Sequence, residues 1–110
     1  MKKVFHNKLV RDKIPEIIKS NGDVCETRIL GDEEFEIELK KKLIEESKEV
    51  LICPKEKLID ELADVLEIIN SLAINNQLKR EDIEREMELK RGKRGGFNKR
   101  IFLEWSGPKP

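Results

Sequence analysis

Four acidic side chains stand on helical faces that ought to be apolar: Glu46 and Glu49, then Glu61 and Asp64. Each residue of an α-helix advances by about 100°. Along the segment from Asp32 to Ile52, Phe35, Leu39, Leu43 and Val50 form the apolar stripe, and Glu46 falls on it, three after Leu43 and four before Val50. Glu49 lies at the stripe's edge, whereas Glu45 points to the solvated side. In the next segment Glu61 lies four before Val65, on the border of the apolar face, with Asp64 at i+3 near the same edge; Asp60 and Glu67 face water. Carboxylates gathered in this way repel one another when partly buried. A hard divalent cation relieves that repulsion. Mg²⁺ suits oxygen ligands and is usually held together with a phosphate, so the cluster predicts a phosphorylated substrate.

The same charges also have a structural reading. Lys42 lies four before Glu46, and an i,i+4 ion pair would satisfy that carboxylate without any metal. Charged residues make up 42% of the chain, enough for acidic pairs at i,i+3 to arise by chance.

The elements that must position these groups follow from pattern. The first segment, Asn7 to Lys19, predicts a helix that starts after Asp12 as N-cap, with Pro15 in the first turn and Asn21-Gly22 as the stop. Val24 to Leu30 alternates weakly, as a short strand does. Asp32 is the expected N-cap of the second helix, which runs to about Ile52 with Glu33, Glu34 and Glu36 near its positive end. Cys53-Pro54 breaks the pattern, and Pro54 fits the first position of a third helix. That helix carries Leu58, Leu62, Val65, Leu66, Ile69, Leu72 and Ala73 and ends at Asn75-Asn76. The short break makes the second and third helices antiparallel neighbours, which brings the two acidic pairs together.

A fourth helix spans roughly Arg80 to Lys90, then a basic loop Gly92-Lys93-Arg94-Gly95-Gly96, a candidate strand from Ile101 to Trp105 and a frayed end. The expected fold class is all-α: a bundle of about four helices, with short strands near 24–30 and 101–105, in a single domain over residues 1–110.

The 23 basic residues balance 23 acidic ones, which argues against a nucleic-acid polymer as partner. No apolar run approaches membrane-spanning length, and Met1-Lys2-Lys3-Val4 does not lead into a signal segment, so the expected location is the cytoplasm. Cys25 and Cys53 are expected as free thiols, His6 as a surface residue, and Trp105 in a packing role. Adjacent Gly95-Gly96 is read as a turn, for it lacks the P-loop pattern.

The motif Glu45-Glu46-Ser47-Lys48-Glu49, a gap, then Glu61-Leu62-Ala63-Asp64 reads E-E-x-x-E … E-x-x-D. It resembles the all-α nucleoside triphosphate pyrophosphohydrolase superfamily, which includes MazG, dimeric dUTPases and phosphoribosyl-ATP pyrophosphohydrolase. Asn7 to Glu16 and Arg94 to Ile101 look like a MazG-related, phosphoribosyl-ATP pyrophosphohydrolase-like subgroup, so the likeness spans nearly the whole chain.

This resemblance implies Mg²⁺, with Mn²⁺ substituting, on Glu46, Glu49, Glu61 and Asp64. It also implies catalytic roles within Glu45, Glu46 and Glu49. Lys90 and Arg94 match the family's K-x-x-x-R phosphate-binding spacing, although the Gly-rich stretch around Arg94 departs from the usual MazG continuation. Arg11 and Lys13 are further phosphate candidates. The implied reaction is metal-assisted hydrolysis of a nucleoside triphosphate, with water attacking the α-phosphorus and pyrophosphate leaving. The rival readings are phosphoribosyl-ATP hydrolysis and a non-catalytic helical dimerisation module. A homodimer or higher oligomer is expected, because Ile59, Leu62, Leu66, Ile69 and Ala73 give the third helix more apolar surface than one neighbour covers.

Overall fold

A computed structural model describes residues 2–110. It contains four α-helices and one 3₁₀ turn: α1 (Ile14–Ser20), α2 (Asp32–Ile52), the turn Lys55–Lys57, α3 (Leu58–Asn75) and α4 (Arg80–Arg94). The chain divides into two compact units, Met1–Leu78 and Lys79–Pro110.

In the first unit, α2 packs against α3. The Asn76 side-chain amide, just past the end of α3, donates to Glu36 near the start of α2, so the two helices run antiparallel. Leu39 of α2 and Ile68 and Ala73 of α3 are the buried core. Phe35, Leu43, Glu46 and Val50 are half-buried along the same stripe as Leu39, as the 3.6-residue period requires. On α3 the packed line is Glu61, Val65, Ile68 and Leu72. Ile68, which is not among the apolar positions expected to pack, is at its centre, while Ile59, Leu62 and Leu66 stay open at 85%, 44% and 46% exposure. The rotation of α3 about its own axis decides this: its apolar arc is wider than one contact, and α2 covers only one edge of it.

Apart from the end of α4, local signals place the helix ends to within a residue or two. The first N-cap is Lys13 rather than Asp12, and Pro15 lies in the first turn. Gly22 follows α1 with φ 87°, a left-handed conformation that costs glycine nothing. Gly31 caps α2, so Asp32 opens the helix instead of capping it. Pro54 precedes the 3₁₀ turn that leads into α3. In the second unit the Asp82 carboxylate accepts from the Lys79 backbone N–H at 3.0 Å, fixing the start of α4. This helix continues through Gly92 to Arg94, beyond the expected Lys90, and Gly95 ends it with φ 83°.

Neither expected strand forms. Residues 24–30 and 101–105 have no ladder partner among the described residues. A strand is held by pairing its backbone groups with a neighbour, and alternation alone does not supply one. Arg28 instead ties its segment to α2 through two hydrogen bonds to Glu34, at 3.0 and 2.6 Å. The same pair holds the Glu34 carboxyl below its ordinary range, chiefly through the Arg28 hydrogen bond.

Candidate metal centre

Antiparallel packing carries the last turns of α2 to the first turns of α3. Glu46, Glu61 and Asp64 meet there, each half-buried, and each offers a carboxylate oxygen within 4.8 Å of the other two. The Glu46 side chain is 15% exposed and that of Asp64 34%, so solvent screens the group only in part.

Glu61 shows the electrostatic consequence. Its carboxyl is pushed above the ordinary range, first by desolvation and then by the charges of Asp64, Glu46, Glu49 and Asp60. Five carboxyls thus share one region, and three of them converge.

Two basic side chains offset part of this charge. Arg11 donates from Nη2 to Oδ1 of Asp64 at 2.7 Å. Lys42 stands 3.9 Å from both Glu46 and Glu45. The i,i+4 pairing of Glu46 with Lys42 is therefore present, at the outer limit of an ion pair and outside hydrogen-bond range.

The donor set fits Mg²⁺ or Mn²⁺. All donors are hard oxygens. Ligands on an octahedral Mg²⁺ lie about 2.9 to 4.2 Å apart for metal–oxygen distances of about 2.0–2.1 Å. The three carboxylate oxygens lie within 4.8 Å of one another, slightly wider than that spacing. Three protein ligands would leave the remaining positions to water or another oxygen ligand.

The remaining expected site residues divide by place. Glu49 is exposed and outside the convergent three, although its charge acts on Glu61. Glu45 is exposed and faces Lys8 at 3.6 Å, a contact that periodicity does not reveal, because Lys8 comes from the segment before α1. Arg11 adjoins the centre through Asp64, whereas Lys13 is exposed at the N-cap of α1. Lys90 and Arg94 belong to the second unit, where both are exposed on α4. Their spacing is one helical turn, so both side chains share a face.

Trp105 does not take the expected packing role. It is 81% exposed, with Phe97, Ile101, Phe102 and Leu103 also exposed nearby in the chain. His6 is exposed, and Cys25 and Cys53 are free and half-buried. No helix among the described residues is long and apolar enough to cross a membrane. No protein-family model matches the chain, and neither a curated protein nor a solved structure matches it.

Proposed function

We propose that this chain hydrolyses a nucleoside triphosphate between its α- and β-phosphates, yielding a monophosphate and pyrophosphate, with Mg²⁺ or Mn²⁺ as cofactor. The observation that carries this reading is the convergence of Glu46, Glu61 and Asp64 from two antiparallel helices. The motif E-E-x-x-E … E-x-x-D, with its likeness to MazG-type pyrophosphohydrolases, supplies the reaction class.

In this reading Glu46, Glu61 and Asp64 bind the ion, which when present polarises the phosphate and supplies an activated water. Glu49 is exposed and outside the convergent set, and a second carboxylate of this acidic group is the natural acceptor for the water's proton. Glu45, between Lys8 and Lys42, holds those cations beside the centre. Arg11 and Lys13 add to the positive field met by the triphosphate, and the family resemblance makes Lys90 and Arg94 further phosphate candidates.

The open arc of Ile59, Leu62 and Leu66 favours a homodimer or higher oligomer. It also suits the competing reading, a helical dimerisation module without catalysis.

A panel of canonical and modified nucleoside triphosphates, with phosphoribosyl-ATP included, tests the assignment. The expected products are monophosphate and pyrophosphate, in a reaction that depends on Mg²⁺ or Mn²⁺. Release of diphosphate and orthophosphate would refute the bond assignment. A melting temperature that neither ion raises in a saturable way, together with no turnover across the panel, would favour the module.

A further inference from the structure

Lys8 and Arg11 lie three residues apart in the segment before α1, and each reaches a carboxylate on a different helix. Lys8 Nζ stands 3.6 Å from Glu45 on α2, and Arg11 Nη2 stands 2.7 Å from Asp64 on α3. Leu9 between them is half-buried, whereas its neighbours are exposed. One short stretch of chain therefore spans the acidic end of the α2–α3 pair, and one of its cations contacts a convergent carboxylate directly.

We propose that Arg11 is a built-in counter-cation of the acidic centre. It holds Asp64 while no divalent ion is bound, and it is released when an ion takes that carboxylate. The inference rests on the metal-centre reading above.

The geometry favours competition over support. Arginine–carboxylate pairs are frequently forked across both oxygens, and breaking a buried pair is costly. Arg11 is 58% exposed and reaches Asp64 through one nitrogen and one oxygen. A guanidinium held this lightly is easily exchanged. Its positive charge also repels a divalent ion drawn to the same oxygens. Release leaves the guanidinium near the centre, since Lys8 still holds the same segment to Glu45.

The test measures Mn²⁺ affinity by calorimetry on the full chain, comparing wild type, Arg11→Gln and Lys8→Gln. Removing a competing exposed ion pair should tighten Mn²⁺ binding about two- to fivefold in Arg11→Gln. Lys8→Gln, which removes the same charge from the same segment, should tighten it less, because Glu45 lies outside the convergent set. In the wild-type protein the Arg11 side-chain Nε–H resonance should shift as Mg²⁺ saturates the site, a readout that needs no variant.

Equal or weaker Mn²⁺ binding in Arg11→Gln would overturn the proposal alone and leave the metal centre standing. Equal tightening in both variants, or an Arg11 resonance indifferent to Mg²⁺, would also overturn it. No saturable Mn²⁺ binding by the wild-type chain would remove the metal centre itself, and this proposal with it.

Discussion

Glu46 and Glu61 stand on different helices, yet a carboxylate oxygen of one lies within 4.8 Å of a carboxylate oxygen of the other. Each also sits in line with apolar residues of its own helix: Glu46 with Leu39, Leu43 and Val50, and Glu61 with Val65, Ile68 and Leu72. A packed face that carries carboxylates gives up hydrophobic stabilisation at those positions. Within the first unit that loss adds to a small core of Leu39, Ile68 and Ala73.

Glu46→Gln should abolish turnover while leaving the fold intact. The amide keeps the shape of the side chain and removes one charge from a repulsive group. The expected loss in kcat is more than about 100-fold, and stability of the metal-free protein should stay within about 0.5 kcal/mol of wild type or exceed it. Steady-state kinetics with circular-dichroism melts check both. Full activity, or an unfolded variant, would remove Glu46 from the site.

Stability of the metal-free protein should respond to pH in opposite senses on the two sides of the ordinary carboxylate range. The Glu61 carboxyl is raised, so its folded form binds the proton more tightly than its unfolded form. Its contribution is fully present below the ordinary value and is lost as pH rises through the raised one. The Glu34 carboxyl is lowered by Arg28, so its contribution is present above the ordinary value and is lost as pH falls through the lowered one. Thermal melts from about pH 3 to about pH 7 should show the high-side decline in wild type and a flatter profile in Glu61→Gln. An unchanged high-side slope in that variant would assign the decline elsewhere.

Leu66→Glu should separate self-association from folding. Leu66 is 46% exposed, so a charge there is tolerated within one copy but not at an apolar contact between copies. Ile69 is a poorer probe, because it is half-buried within the chain itself. Sedimentation should show wild type as a dimer or larger and the variant as a folded monomer with reduced activity. A stable, active wild-type monomer at about micromolar concentration would discard the assembly.

Leu39→Ala should cost about 2 to 5 kcal/mol, the usual range for emptying a well-packed leucine site. Leu39 is 3% exposed, and it anchors α2 in the core shared with α3. Denaturant unfolding measures the change. A cost below about 1 kcal/mol would mean that assembly, rather than this core, holds the two helices.

The all-helical class, the antiparallel α2–α3 pair and the placing of Glu46 among apolar residues were legible in the amino-acid pattern. These depend on local information: the 3.6-residue period, the break at Cys53-Pro54 and the stops at Asn21-Gly22 and Asn75-Asn76. Tertiary structure decided which carboxylates meet. Four were expected at the centre, and Glu46, Glu61 and Asp64 converge while Glu49 remains at the rim. Periodicity places each residue on a face, but the rotation and offset of α3 against α2 set which side chains share a point. The same rotation turned Ile68 inward and left Leu62 and Leu66 open. The extension of α4 through Gly92 depended on a weak local balance, since one glycine weakens a helix without ending it. The absent strands and the contact of Arg11 with Asp64 depend on segments remote in the chain. No local pattern encodes such a meeting, because it arises only once the helices have packed.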